Sequence, residues 1–434
     1  MDAQPALKNN KKIINAWCWY DWANSSYSLV ITAAIFPAYF LSLSLEHNEK
    51  QWWQQIGTSV LYAYIYSLSS LLILLLSPLL GSIADRYGRK RFFMSCCTFI
   101  GAISCMLLFF SSAETMVLTC ILFMVSSVCY SLGVVFYNAF LPEIAAPDNY
   151  DAVSARGFAW GYAGGMLALV INLLVIRFAE KLGFTPSQIL QHTPVKVAFV
   201  FVGVWWLVFA IYSINRLPPD RQRRRPYGNR ILLHAYKQVL EALLLVKKQR
   251  RILVFLLAFF FYDMGVTTIM GMSSVFATKT LHIETAGLIG VILVLQLLAI
   301  LGAYLFLILS KKAGNLTAIK ISVLLWILIC IIAYRVQHIP QFYAMAALTG
   351  LVMGGTQALS RAAFATLIQE EPHQYATYFS LYDVLEKLGV VIGTFLFGWM
   401  EWVTGSMRIS VAMLSIFFIA GFFFLQFIKR SWKK

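Results

Sequence analysis

Hydrophobic residues in this chain form long runs that are separated by short polar segments. A helix needs about twenty consecutive apolar residues to cross a bilayer, and the runs lack the period-two alternation of an outer-membrane β-strand. The pattern therefore predicts an all-α polytopic membrane protein with about twelve transmembrane helices. The predicted spans are residues 14–43, 57–80, 92–112, 116–141, 157–178, 196–215, 251–276, 285–309, 319–336, 341–365, 378–403 and 409–428.

One long polar interruption, residues 216–250, divides the predicted spans six and six. It indicates an N-terminal six-helix bundle at 1–215 and a C-terminal six-helix bundle at 251–434, joined by a basic cytoplasmic linker. Residues 230–251 have the apolar and basic faces of an amphipathic helix. Such a helix would lie on the membrane surface and be attracted to anionic lipid.

The composition agrees with a lipid environment. Of the 434 residues, 60% are hydrophobic and 12% are charged, whereas soluble domains are about one quarter charged. The lipid bilayer is therefore an expected partner. The net charge of +16 does not predict nucleic-acid binding, because the Lys and Arg residues lie between the apolar runs.

The distribution of basic residues gives the orientation in the membrane. Most of the 35 Lys and Arg residues lie in the N-terminal tail, in alternate loops, in the linker and at the C-terminus, and basic residues favour the cytoplasmic side. Both termini are therefore expected in the cytoplasm. The opposite side holds Lys50, Arg177, Lys181, Lys196, Lys279, Arg335 and Arg408.

The two halves carry traces of a common ancestor. Tyr20-Asp21 in the first span matches Tyr262-Asp263 in the seventh, and small polar residues follow each pair. The loop that contains Tyr150 precedes Gly164 in the fifth span, and the loop that contains Tyr375 precedes Gly389 in the eleventh. Together these matches predict an internal duplication. Glycines four residues apart, in the fifth and eleventh spans, predict close helix packing, and the alternative is a moving seam between the halves: Gly161, Gly165, Gly389 and Gly393.

Polar residues inside the spans are the candidates for ligand contact, because a polar group in lipid needs a partner or a water-filled cavity. Asp263 lies near the middle of the seventh span, where it would bind a substrate ammonium or a proton; the alternative is a structural Asp bonded to a nearby hydroxyl. Asp21 is either a substrate ligand or a cap on the start of its helix. Asn172 and Gln296 lie at mid-depth, where the alternative is helix packing. The further candidates are Tyr262, Trp22, Asn24 and Tyr27.

A second group of charged residues is predicted to form a gate in the cytoplasmic half of the spans. Asp383 and Lys387 are four residues apart and can pair along one helix, which leaves Glu386 as the expected partner of Arg361. The alternative for these residues is direct contact with substrate. Glu143 and Arg156 flank the loop between the fourth and fifth spans and are assigned to the same network.

The loop between the second and third spans carries a motif. It contains Gly81, then Asp85 and Arg86, then Gly88, Arg89, Lys90 and Arg91. Gly81 would allow close helix approach and Gly88 a tight turn, while Asp85 could sit against the N-terminal end of a helix in the other half. The motif resembles the loop signature of the major facilitator superfamily, and it predicts a latch that forms when the cytoplasmic side is closed.

Several longer runs resemble the vacuole effluxer family, which comprises autophagy-related vacuolar amino-acid exporters and many bacterial relatives. The runs are residues 19–27, 138–144, 153–162, 357–361 and 382–387, in the same order as in the family. The resemblance implies a major facilitator fold and, for the fungal members, amino-acid efflux. Because the chain lacks long tails and a long extra loop, a bacterial member in the inner membrane is expected.

No cytoplasmic segment contains a phosphate-binding loop of the Walker type, so the predicted function is secondary transport of a small solute by a monomer. A coupling proton is one alternative, with uptake by symport and efflux by uniport or antiport both open. A lipid-handling protein or membrane enzyme is the other class considered. The sequence offers no metal site, cofactor or catalytic cluster for it, since the histidines fall in loops. A channel is disfavoured, because two non-identical halves with a latch loop suggest alternation.

Overall fold

The computed structural model describes residues 8–43, 58–220, 246–281, 285–371 and 373–428, with 237, 240–241 and 244. These residues are helical, with short connections and no β-strand. The first half begins with α1 (Lys11–Ser26), a π-helical segment (Tyr27–Ile35) and α2 (Phe36–Ser42). It continues with α3 (Thr58–Tyr87), α4 (Lys90–Leu107), α5 (Met116–Ile144), α6 (Tyr150–Arg177), α7 (Pro186–Leu190) and α8 (Thr193–Ile214).

The second half contains the remaining helices. They are α9 (Arg250–Leu281), α10 (Thr285–Ala313), α11 (Asn315–Arg335), α12 (Ile339–Leu367), α13 (Tyr375–Thr404), α14 (Met407–Met413) and α15 (Ser415–Gln426). Most of the predicted amphipathic segment 230–251 lies outside the described residues.

Eleven helical segments in the described chain are long and apolar enough to cross a membrane. The remaining predicted crossing corresponds to α13, a helix of 30 residues that carries Asp383, Glu386, Lys387 and Glu401. The prediction of an all-α, multi-pass membrane protein is therefore confirmed.

Several helices extend beyond the predicted spans. The second predicted span ends at residue 80, but α3 continues to Tyr87, and α6 begins at Tyr150 instead of at 157. The reason is physical: an apolar run measures only the part of a helix that faces lipid, whereas helical hydrogen bonding continues into water. Residues that were assigned to loops therefore lie on rigid helix ends.

The contacts divide the chain into two compact units. One comprises Asn10–Asn138 and Trp160–Arg225, and the other comprises Met1–Asn9, Ala139–Ala159 and Pro226–Lys434. The segment Ala139–Ala159 belongs by sequence to the first half, yet its contacts group it with the helices of the second. The division into bundles at 1–215 and 251–434 stays a prediction.

Glycines bring the paired helices of each unit into close contact. An added Cβ at Gly164 on α6 would lie 2.5 Å from the carbonyl oxygen of Trp22 on α1, and one at Gly165 would lie 3.0 Å from that of Ser25. In the other unit, a Cβ at Gly393 on α13 would lie 3.1 Å from the carbonyl oxygen of Met264 on α9. The same close approach at both positions agrees with the predicted duplication.

Helices α10 and α12 are also in backbone contact. A Cβ at Gly350 would lie 2.6 Å from the carbonyl oxygen of Leu295, and one at Gly354 would collide with the carbonyl oxygen of Ala299. Because the obstacle is backbone, it cannot turn aside as a flexible side chain would. Helices α10 and α12 can therefore approach this closely only because these glycines have no side chain.

We expect Gly354→Ala to destabilise the protein by about 1–3 kcal/mol, because the added methyl overpacks the contact between α10 and α12. Gly398→Ala on α13 is the matched control, since nothing lies within 4 Å of its added Cβ. The measurement is the thermal unfolding midpoint of each purified variant in detergent. Equal midpoints for the two variants would contradict the proposed role of Gly354.

Candidate functional site

Asp263 on α9 is buried beside a charged group on α13. It is 7% exposed, and within the described chain its Oδ2 has no hydrogen-bond partner. Glu386 and Lys387 interact with it electrostatically. The Lys387 Nζ lies 3.1 Å from Glu386 Oε1 and 3.9 Å from Asp383 Oδ1. The predicted pairing of Asp383 with Lys387 is therefore present.

The close approach of α9 and α13 through Gly389 and Gly393 positions this cluster. Successive residues of a helix project about 100° apart, so Tyr262, next to Asp263, points elsewhere. The Tyr262 hydroxyl lies 2.7 Å from Ser360 Oγ on α12, and the side chain is fully buried. This geometry fits a packing anchor better than the predicted ligand contact for Tyr262.

Asp21, the counterpart of Asp263 in the first half, has a different environment. Its Oδ2 accepts a hydrogen bond from the Tyr137 hydroxyl at 3.0 Å, and its Oδ1 accepts one from Ser25 Oγ at 3.4 Å. The alternative of a helix cap at Asp21 is wrong, because Asn10 caps α1 by accepting a hydrogen bond from the Lys12 N–H. Asp21 lies well inside the helix.

The other predicted ligand residues of the first half are mostly held by protein groups. The Tyr27 hydroxyl lies 2.7 Å from Ser126 Oγ and 2.9 Å from Ser127 Oγ, fully buried. Trp22 stacks on Trp205 with ring centroids 5.7 Å apart. These contacts favour packing roles, since each ring is held by its neighbours.

The amide candidates divide into bonded and unbonded groups. Asn172 Nδ2 donates to the Ala168 carbonyl at 2.7 Å, one turn earlier in its own helix. Asn24 Oδ1 and Gln296 Oε1 are enclosed and have no hydrogen-bond partner in the described part of the chain. Asn24 and Gln296, together with Asp263, therefore stay the strongest predicted ligand contacts.

Arg361 on α12 is held by the N-terminal part of α6. Its Nε donates to Ser154 Oγ at 2.9 Å and its Nη2 to the Ser154 carbonyl at 2.8 Å. The guanidinium carbon lies 4.0 Å from the ring centroid of Phe158. Arg361 is 4% exposed, so the hydrogen bonds and the ring face compensate for its lost hydration.

A second contact lies one turn earlier on α6. The Asp151 carboxylate accepts hydrogen bonds from Ser310 Oγ on α10 and from Asn315 Nδ2 at the start of α11. Ser154 Oγ also donates to the Ala358 carbonyl at 2.7 Å. Between these contacts lies a buried alanine cluster with partly buried neighbours: Ala155, Ala303, Ala358, Phe158 and Leu307.

The predicted partner of Arg361 is wrong in this structure. Glu386 forms an ion pair with Lys387, its neighbour in the chain. Arg361 instead donates hydrogen bonds to Ser154 and lies over the ring of Phe158. Sequence analysis missed Asp151, Ser154, Phe158 and Asn315, although the matching tyrosine loops before the fifth and eleventh spans pointed to the start of α6. Glu143 and Arg156 are half-buried, and their gating role stays a prediction.

The motif between α3 and α4 forms a tight turn, as predicted. Gly88 has φ +63°, its N–H donates to the Asp85 carbonyl, and the Arg89 N–H donates to the Ala84 carbonyl at 2.9 Å. This is a Schellman motif that ends α3. The buried Asp85 carboxylate lies 3.5 Å from Lys90 Nζ. The latch formed by Asp85, and the gating roles of Gly81, Arg86 and Arg89, stay predictions.

Asp220 caps the N-terminus of α4. Its carboxylate accepts hydrogen bonds from the Arg91 N–H at 2.8 Å and the Phe92 N–H at 2.9 Å, one on each oxygen. Arg91 also donates to the Leu217 carbonyl at 3.4 Å. The start of the linker is thereby fixed beside the motif, a contact that no sequence signal indicated.

Comparison with known proteins assigns the chain to a family. The model described as "Vacuole effluxer Atg22 like" matches residues 9–434. The uncharacterized MFS-type transporter YxiO of Bacillus subtilis (strain 168) is 29% identical over 427 residues, covering 98% of this chain and 96% of the relative. Autophagy-related protein 22 of Saccharomyces cerevisiae is 22% identical over 407 residues, covering 82% and 75%.

Solved structures show the same fold. The major facilitator superfamily transporter FucP in the outward conformation superposes with a TM-score of 0.71 at 12% identity, covering 96% of this chain and 98% of that one. The proton:xylose symporter XylE gives 0.70 at 12% identity, covering 96% and 95%. The chain is therefore an integral multi-pass membrane protein with the major facilitator fold, and it belongs to the Atg22-like vacuole effluxer family of MFS-type transporters.

Proposed function

We propose that the protein exports a small solute by alternating access and that the contacts of Asp151, Ser154 and Arg361 form its cytoplasmic gate. The observation that carries this proposal is the hydrogen bonding of Ser154, on a segment that belongs by sequence to the first half, to Arg361 on α12. Such bonds can be exchanged for bonds to water at a small net cost, about 1 kcal/mol each. A polar contact of this kind can therefore open and close repeatedly.

The orientation inferred from the basic residues puts this gate on the cytoplasmic side. With both termini in the cytoplasm, the starts of α6 and α11 face the same compartment. A closed gate there would accompany a state open to the opposite side. We propose the bacterial inner membrane as the location and a monomer as the functional unit.

The substrate class that we propose is amino acids. Support comes from the resemblance to vacuolar amino-acid exporters and from the description of the family as effluxers. Export by antiport or uniport is accordingly preferred to uptake. The family and fold are those of transporters, so we propose no catalysed reaction and no cofactor.

A thermal-shift screen of the purified protein against amino acids, peptides, sugars and nucleosides tests the substrate class. A ligand that binds only the folded state raises the unfolding temperature, by an amount that grows with its concentration. Amino acids are expected to give the shift, and counterflow exchange in proteoliposomes should follow for the same compounds. Shifts and counterflow confined to another class would refute the amino-acid assignment and retain transport.

The gate predicts a specific pattern of coupling between mutations. Arg361→Ala and Phe158→Ala should each slow counterflow, because each removes one side of the same contact. Their combined effect should fall short of the product of the single effects by about tenfold, as for residues coupled by about 1.4 kcal/mol. The effects of Arg361→Ala and Glu386→Ala on the counterflow rate should instead multiply. The opposite pattern would restore the pair between Arg361 and Glu386.

Cross-linking the second contact should stop transport reversibly. In a variant whose seven native cysteines, all free, are replaced, Asp151→Cys with Asn315→Cys places two thiols where the side chains now touch. Oxidation should abolish counterflow and a reductant should restore it, since the gate must open in each cycle. The two single-cysteine variants are the controls and should not respond. Unchanged counterflow in cross-linked protein would show that this contact does not open.

A further inference from the structure

A group of aromatic rings lies where α8 contacts α1 and α6, beside the end of α8 that carries Arg216. We propose that this surface binds one phospholipid with a negatively charged headgroup. The lipid phosphate contacts Arg216, and an acyl chain lies along the exposed face of α8. This lipid site goes beyond the proposed transport function and depends on neither the gate nor the substrate.

Arg216 supplies an available positive charge at the end of α8. Its guanidinium carbon lies 3.8 Å from the ring centroid of Tyr212, and its Nη1 donates to the Tyr212 carbonyl at 3.3 Å. A guanidinium has five N–H donors, and no carboxylate of the described chain pairs with this one. Because the residue is exposed, its remaining donors can reach a phosphate outside the protein.

Arg91, near the start of α4, brings a second guanidinium to the same place. Its Nη1 donates to the Leu217 carbonyl and its Nη2 to Asn215 Oδ1, both at 3.4 Å. The Asp220 carboxylate is also close, and it accepts the backbone N–H groups of Arg91 and Phe92. Two guanidinium groups against one carboxylate leave this end of α8 positive, which is the charge that an anionic headgroup requires.

The exposed face of α8 leads directly to Arg216. Val204, Val208 and Tyr212 follow one another at a spacing of four, so they lie along one side of the helix, and Arg216 continues the row. The three apolar residues are 42–56% exposed. The row from Val204 to Arg216 is about 18 Å long, which is close to the depth of one leaflet, about half of the 30 Å hydrocarbon core. An acyl chain can therefore follow the face while its headgroup meets Arg216.

Aromatic rings form a fixed wall beside this face. The Trp19 ring on α1 stacks on Phe209 with centroids 5.1 Å apart and meets Tyr212 edge-on at 5.9 Å. Trp160 on α6 meets Trp19 edge-on at 5.0 Å. Trp19, Trp160 and Phe209 are half-buried, so part of each remains accessible. Rings that already hold one another lose little conformational freedom when a chain packs on them.

The combination of charge and apolar surface selects the class of ligand. A free phosphate would use the arginines and leave the apolar face empty, whereas an uncharged lipid would use the face and leave the arginines without an anion. Lipid tails are as apolar as the helix surface, so the chain contributes position and the headgroup contributes selectivity. The orientation inferred from the basic residues puts this end of α8 at the cytoplasmic leaflet, where anionic lipids are found.

Native mass spectrometry of the delipidated protein tests the headgroup contact. The protein is titrated with phosphatidylglycerol or phosphatidylcholine of identical acyl chains. We expect one phosphatidylglycerol to bind more tightly than phosphatidylcholine. Arg216→Ala should weaken phosphatidylglycerol binding about fivefold, the effect of one basic residue at a membrane surface, and should leave phosphatidylcholine binding unchanged. Equal affinity of the wild-type protein for the two lipids would overturn the proposal.

Lys312→Ala is the matched control. Lys312 is an exposed basic residue in the last turn of α10, predicted to lie on the same side of the membrane. It should retain wild-type binding of phosphatidylglycerol, and thermal unfolding should show that both variants are folded. An equal loss in Lys312→Ala would indicate general attraction to a positive surface and would refute a site at Arg216.

Photolabelling locates the acyl chain. A phosphatidylglycerol that carries a photoreactive group in the middle of one chain should label peptides that contain residues 204–212 of α8 or Trp19 of α1. An excess of glycerol phosphate should not prevent the labelling. Labelling confined to other helices, or displacement by glycerol phosphate, would overturn the lipid site. Neither experiment uses a transported solute, so failure here would leave the proposed function unaffected.

Discussion

The hydrogen bonds of a backbone inside lipid must be made within the protein, and this constraint determines the rest of the structure. It forces the chain into helices, and it makes each polar side chain within them costly unless that group finds a partner. Most polar groups here do so locally, as Asn172 does with the carbonyl of Ala168. Charged groups that bond across helices, such as Arg361, or that have an unbonded oxygen in the described chain, such as Asp263, are where function is to be sought.

This constraint also explains how much of the fold the sequence predicts. Bilayer thickness sets the length of the apolar runs, so the runs locate the helices, and glycines at a spacing of four mark helix pairs in close contact, as Gly393 does against Met264. Helix ends are not marked in this way, because a helix continues into water without an apolar signal. For that reason Asp151, predicted to lie in a loop, in fact lies in the first turn of α6.

Partner choice was less predictable than position. Opposite charge alone suggested Glu386 for Arg361, but a guanidinium can also be satisfied by a hydroxyl, a carbonyl and a ring face, and Ser154 and Phe158 supply all three. Neutral partners of this kind leave no charge pattern in the sequence. The duplicated aspartates show the same limit: Asp21 and Asp263 look equivalent in the sequence, and their hydrogen-bond donors, together with the charged residues beside Asp263, distinguish them in the structure.

The proposed gate and the surroundings of Asp263 are connected through α12. Ser360 bonds to the hydroxyl of Tyr262, which is adjacent in the chain to Asp263, and Arg361 follows Ser360 on α12. A movement of α12 that separates Arg361 from Ser154 must therefore also displace the partner of Tyr262. Because α9 and α13 are in contact at Gly389 and Gly393, such a displacement acts on the interface that encloses the Asp263 carboxyl. Opening of the proposed gate would thus also alter the packing around Asp263.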